Sequence, residues 1–185
     1  TTTPWTLPSN TALTVGEKIE YVCVTTFNQY TFQKTNVVLA KNLVGYQFSK
    51  GFLEVESIDE LETYQQGDKK IPYFVGETCT GKDLIGMRYE QLLDYCQPFE
   101  NPENAFQVIS GDFVTTEDGT GIVHTAPTFG ADDAKVAKDA GVPPMLVKDE
   151  LDNLENPSEI EIKKMEKFYR ICLEDIKNLK LRMVK

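Results

Sequence analysis

Short stretches of β-branched and aromatic residues, each closed by turn-forming residues, recur through most of the chain and predict strands. Ile19–Phe27 (IEYVCVTTF) runs into the turn residue Asn28, and Thr35–Ala40 (TNVVLA) follows as its antiparallel hairpin partner. Gly51–Glu56 and Pro72–Thr80 predict further strands, and Phe106–Thr116 (FQVISGDFVTT) predicts one or two more, bent at Gly111. Helical spacing is rarer. Ser57 with Glu60 three residues on forms a capping box, Ile58, Leu61 and Tyr64 share a face, and Gly67 ends that helix. Ala131 to Ala140, with Gly141 behind it, predicts a second helix with a glycine cap.

Between these elements the pattern is punctuated. Thr1–Asn10 (TTTPWTLPSN) holds two prolines, which forbid a regular helix and predict an extended, kinked strand or loop. Gly81–Tyr89 is turn-rich, and the acidic turn Glu117-Asp118-Gly119 leads into Gly119-Thr120-Gly121-Ile122-Val123-His124-Thr125-Ala126-Pro127. That passage predicts a tight glycine turn, a short buried strand and a loop broken by Pro127. The tail differs again. After the polar stretch 148–157, Ser158 and Glu161 form another capping box. Ile162, Met165, Tyr169, Cys172, Ile176, Leu179 and Met183 then step by three and four, an amphipathic helix with a heptad-like seam. The pattern predicts an α+β fold: a curved, barrel-like, mostly antiparallel sheet with a few flanking helices. Residues 1–149 are expected to form one domain. Residues 150–185 are expected to form an acidic linker and a helix packed on that domain.

Composition narrows the class. Apolar residues make up 41% and charged residues 26% of 185 residues, the balance of a soluble globular protein, and no apolar run is long enough to span a bilayer. The start at Thr1, without an initiator methionine, is read as a cut within a larger protein. A free-standing nucleic-acid binder is usually basic, so with a formal net charge of −10 something beyond overall charge must supply most of the affinity if the chain handles a nucleic acid. Cys23, Cys79, Cys96 and Cys172 are scattered without metal spacing, and with one histidine they predict no metal site and a reducing, cytoplasmic setting.

The chemistry available is limited. Any His-dependent triad must use His124, yet neither a G-x-S-x-G elbow nor a phosphate-binding glycine loop occurs. What remains is a set of hydroxyls (Thr1, Thr2, Thr3, Thr6), the Asn10 amide, the His124 imidazole and the adjacent Asp132 and Asp133. These groups suit orienting a polar substrate and a water. Each also has an ordinary structural role open to it: the carboxylates at a helix start, the imidazole in a core, the threonines in strands.

Taken together, Thr1–Asn10 and Gly119–Pro127, with Phe129-Gly130 and Asp132-Asp133 behind them, resemble the editing domain of isoleucyl-tRNA synthetase, often called connective peptide 1. Trp5, Leu7 and His124 point to the isoleucyl branch rather than the valyl or leucyl one. The passages 37–43, 83–89 and 141–149 carry the same likeness, in an apparently bacterial form. The resemblance spans roughly four-fifths of the chain.

The resemblance implies hydrolysis of mischarged Val-tRNA(Ile), and leaves open that of valyl-adenylate. In the family's pattern Asp133 holds the substrate ammonium and His124 walls the side-chain pocket against isoleucine. Thr1, Thr2 and Thr3 line the pocket or place the water, Trp5 and Thr6 shape it, and Asn10 aids binding or hydrolysis. Thr3, Asn10, His124 and Asp133 are thus the catalytic candidates, and Asp132 is left as a helix-start residue. The implied partners are the tRNA(Ile) 3′ end carrying valine and the rest of the synthetase, with no membrane; the isolated domain is expected to be monomeric. Editing is expected to need no cofactor, ATP being used by the synthetic core of the parent enzyme. A non-catalytic module that binds tRNA or a partner on an editing-like fold is the competing expectation.

Overall fold

The computed structural model describes residues 3–148 and 154–156. Thr1, Thr2 and the expected helix over 158–183 lie outside the described residues. The described chain falls into two compact units, and each is taken by itself. The first comprises Leu13–Tyr89 and Gln107–His124; the second comprises residues 3–12, Glu90–Phe106 and the described residues from Thr125 on.

The strands are β1 (Ala12–Val15), β2 (Glu20–Phe27), β3 (Lys34–Ala40), β4 (Phe52–Val55), β5 (Ile71–Thr80), β6 (Gln107–Ser110), β7 (Ile122–Thr125), β8 (Val147–Lys148) and β9 (Leu154–Glu155). They form a four-stranded sheet ordered β3-β2-β5-β4, a three-stranded sheet ordered β6-β1-β7, and the small pair β8-β9. The helices are α1 (Val44–Gln47), α2 (Gly81–Leu84) and α3 (Ala131–Asp139), with short 3₁₀ turns between them. The fold is α+β as expected, but the sheets do not close into a barrel.

The predicted hairpin is present, with Tyr21 opposite Ala40 and Val24 opposite Val37. β2 also pairs antiparallel with β5, across a bulge between Val22 and Val24. Adjacent residues of a strand point to opposite faces, and Tyr21 and Val22 are both fully buried. β2 is therefore covered on both sides at Tyr21 and Val22, and beyond them buried and half-buried residues alternate as far as Phe27. β4 joins the far edge in parallel, Phe52 opposite Ile71. Around this sheet Val15, Leu39, Leu43, Val44 and Tyr73 complete the core of the first unit. Phe48 stacks on Tyr73 at 4.7 Å and meets Phe52 edge-on at 5.1 Å.

The Gly119–Gly121 turn is tied to this core. Thr120 O accepts a hydrogen bond from the Ala40 amide at 2.8 Å. The Tyr21 hydroxyl donates to Gly121 O at 2.6 Å and accepts from the Gly16 amide at 3.1 Å. β7 starts directly after the turn, so its first residue is placed by the sheet it follows.

Two expectations need correction. Thr1–Asn10 was expected to be extended, whereas Pro4–Ser9 forms a 3₁₀ helix with a proline in its first turn. Its bonds run from Thr6 N to Thr3 O and from Asn10 N to Leu7 O, so neither proline is asked to donate. The helix predicted after Ser57 is also 3₁₀, spanning Ile58–Thr63, although its capping box is formed as read.

Candidate functional site

Thr3, Trp5, Thr6, Asn10 and Asp133 belong to the second unit, where backbone-directed bonds tie Asn10 and Thr11 to Thr125, and Asp133 to Ala126. The 3₁₀ helix Pro4–Ser9 ends at Asn10, whose side chain is buried. The Asn10 Nδ2 donates to Ala12 O at 2.8 Å and to Thr125 O at 3.4 Å. The Thr11 amide donates to the same Thr125 oxygen at 3.1 Å. This fastens the threonine-rich segment to the start of the loop after β7.

The loop is held from its other end by Asp133. Asp133 is the third residue of α3, and its Oδ2 accepts the Ala126 amide hydrogen at 2.8 Å. A carboxylate in a first helical turn faces the positive end of the helix, so the position suits its charge. Gly130 leaves the room needed: a Cβ there would meet the Asp133 carboxyl carbon at 3.1 Å. Asp132, one residue earlier, is exposed, whereas Asp133 is half-buried and directed into the loop. The two neighbouring acids therefore differ in environment as well as in position.

The remaining candidates are placed as follows. Thr6 is buried and its Oγ1 donates to Thr3 O at 2.8 Å. Thr3 is exposed, and Trp5 presents 54% of its surface to solvent. His124 is half-buried in β7 and is the last residue of the first unit, one peptide bond from Thr125. Thr1 and Thr2 lie outside the described residues.

Sequence reading passed over a buried polar row in the second unit. Ser9, Thr11 and Thr125 are fully buried, and Ser9 Oγ donates to Asn156 Oδ1 at 2.8 Å. Among the described residues, Thr11 Oγ1 and Thr128 Oγ1 are the buried side-chain oxygens without a hydrogen-bond partner. A buried hydroxyl left unpaired is costly, by roughly 1–3 kcal/mol, so each is an acceptor or donor in reserve. The only trace in the sequence was the polar run Ser9-Asn10-Thr11 leading straight into an apolar strand.

Chemically, the second unit thus offers the half-buried carboxylate of Asp133 beside hydroxyls and amide groups in a fixed backbone frame. Among the described residues no cluster of three His, Cys, Asp or Glu side chains is spaced for a metal ion. No helix among them is long and apolar enough to cross a membrane.

No protein-family model matches the chain. It is 60% identical over 153 residues to the isoleucine–tRNA ligase of Cytophaga hutchinsonii, a match covering 83% of this chain and 13% of that protein. The Bacteroides fragilis isoleucine–tRNA ligase is 59% identical over 146 residues, covering 78% of this chain and 12% of that enzyme. The Porphyromonas gingivalis isoleucine–tRNA ligase is 56% identical over 156 residues, with 83% and 13% covered. Among solved structures, "The crystal structure of GlLeuRS-CP1" aligns with a TM-score of 0.44 at 18% identity, covering 74% of this chain and 41% of that one. The chain spans about an eighth of the length of the curated relatives it matches. With identities of 56–60% along about four-fifths of its residues, the chain is the homologue of one segment of the isoleucine–tRNA ligases.

Proposed function

We propose that this segment is the hydrolytic editing site of an isoleucine–tRNA ligase, cleaving the ester of mischarged Val-tRNA(Ile). The observation that carries the reading is the pairing of Asn10 and Thr11 with Thr125, and of Ala126 with Asp133, which joins two distant stretches of sequence into one polar frame. Editing answers a physical limit. A synthetic pocket for isoleucine gains only about 1–3 kcal/mol from one methylene, a limit for which the isoleucyl enzyme is itself the standard example. A second sieve that admits valine and refuses isoleucine removes the error.

In this reading Asp133 holds the substrate's α-ammonium group, because a cation brought out of water requires a charged partner. His124 is the wall that stops the larger side chain. Thr3 and Thr6 orient the ester and an attacking water, and Trp5 covers the ligand. Asn10 donates its amide hydrogens to the Ala12 and Thr125 backbone oxygens, so it holds the frame in register as it aids binding or hydrolysis. Hydrolysis of an activated ester then needs an oriented water and donors for the developing oxyanion, with no cofactor. ATP-dependent charging belongs to the synthetic part of the parent enzyme.

Asp133 has two separable duties, and two variants divide them. Asp133→Asn keeps an oxygen for the Ala126 amide but removes the charge. It should abolish deacylation of Val-tRNA(Ile) while leaving thermal stability within a degree or two, about the shift of ~0.5 kcal/mol. Asp133→Ala should lose both. His124→Ala should let correctly charged Ile-tRNA(Ile) be hydrolysed. Wild-type deacylation by Asp133→Asn would remove the ammonium role, and continued protection of isoleucine in His124→Ala would remove the sieve role.

A further inference from the structure

The first unit carries a cleft that none of the expected site residues lines. It has a volume of about 430 Å³ and lies between the tip of the β2–β3 hairpin, the residues leading into β4, and the 64–71 passage before β5. Its walls bring together three aromatic residues (Phe32, Phe52 and Tyr64), two lysines (Lys50 and Lys69) and two glutamines (Gln29 and Gln66).

The tip is a built loop. Asn28 N donates to Gln33 O and Phe32 N to Asn28 O, each at 2.9 Å, and Asn28 Oδ1 accepts from the amides of Tyr30 and Thr31. Within it Phe32 has φ of +59°, a conformation that a bulky residue adopts only when its surroundings impose it. The imposed conformation places the ring on the cleft wall. Among the described residues the ion pairs are Lys34 with Glu62 and Lys41 with Glu20, so neither Lys50 nor Lys69 has a carboxylate within 4.0 Å. The one acid in the wall, Asp68, accepts the Gln65 amide hydrogen at 2.9 Å and closes its own turn.

We propose that this cleft is a docking site for a single-stranded stretch of RNA, the rings stacking on bases and Lys50 and Lys69 meeting phosphates. The proposal rests on the reading that the chain works on tRNA. Charge decides the location: the chain has a net charge of −10, so an RNA strand requires a local patch where cations are not already neutralised. Chemistry decides the class. Aromatic rings stack on any base, and primary amides both donate to and accept from base edges. An acidic peptide would use the two lysines and leave the Phe32 ring and the two amides unused, Tyr64 already packing on Phe27 and Phe52 on Phe48.

The test measures binding of a fluorescein-labelled single-stranded RNA to the full chain by anisotropy across a salt series. Two phosphate contacts on a single strand contribute about 1.4 to the slope of log K against log salt. Lys50→Gln/Lys69→Gln should therefore flatten the slope by about 1.4 and weaken binding roughly 10–25-fold at 0.1 M salt. Phe32→Gly removes the ring but suits the left-handed backbone, so it should weaken binding about fivefold or more with the slope unchanged. Unchanged affinity and slope in both variants would overturn the proposal, as would AMP competing for the cleft as tightly as the RNA, which would make it a mononucleotide site. The outcome is independent of the editing test. Loss of RNA binding in a chain that deacylates nothing leaves the cleft and removes editing. Full deacylation of Val-tRNA(Ile) with RNA binding unaffected by the substitutions does the reverse.

Discussion

At Gly121 two constraints coincide. Its φ is +73°, and a Cβ there would lie 2.6 Å from the Ala40 Cβ, in the turn that also carries the Tyr21 hydrogen bond. Gly119, two residues earlier, has φ of +68° but open space around it. Gly119→Ala should thus cost only the backbone strain, roughly 1 kcal/mol, whereas Gly121→Ala adds a clash and should cost about 2–4 kcal/mol. Urea unfolding midpoints measure the difference; equal shifts would show that Ala40 yields without cost. The sequence marked both glycines as a turn, but it could not say which one another strand approaches. The same holds for the two acids. Asp132 and Asp133 are alike as letters, and their different roles in the reading came from resemblance. The geometry gives only Asp133 the bond to the Ala126 amide.

Among the elements, helix starts were more legible than helix types. The Ser57–Glu60 capping box is formed, with Glu60 Oε1 accepting from Ser57 N at 2.9 Å and Ser57 Oγ from Asp59 N at 3.3 Å. A cap satisfies the first free amides whatever bonds follow, so it signals a start without choosing between α and 3₁₀ continuation. That choice depends on packing, and here Leu61 is the only buried side chain of the element. Ser57→Ala should cost about 1 kcal/mol, read as a lower thermal midpoint; a loss indistinguishable from zero would mean that water replaces the cap. Prolines misled in the opening segment for a related reason. Pro4 and Pro8 exclude an α-helix, but a 3₁₀ helix needs fewer donors, and its bonds pass both prolines by. β1 was missed because four residues carry too little periodicity to stand out.

For the molecule as a whole, the buried tyrosines predict its behaviour in alkali. Burial pushes the Tyr21 phenol above its ordinary 10.0, against the lowering effect of the Gly16 amide, and Tyr73 is raised by burial and by Glu54. A raised value in the folded state means that the unfolded chain loses its proton first. The stabilisation is therefore complete below pH 10 and declines as pH rises through the folded-state value. Denaturant unfolding followed from pH 8 upward should show stability falling above about pH 10. Tyr21→Phe should flatten that fall while costing about 1–3 kcal/mol at neutral pH through the unpaired Gly121 and Gly16 groups. An unchanged alkaline profile in Tyr21→Phe would assign the effect elsewhere.

Local chemistry was enough to determine the hairpin, the Ser57–Glu60 capping box, the glycine turn and the α3 start, because each depends on residues close in sequence. It also bounded the class: acidic, mixed α and β, with a single imidazole. Pairing over long range was decided only by the tertiary structure. It set β4 parallel against β5, left the sheets open rather than closed, and bound Asn10 to Thr125 and Ala126 to Asp133. The physical reason is that a backbone carbonyl or amide is the same in every residue. Which one a side chain reaches is fixed by the packing of the whole sheet, and no local pattern of letters records it.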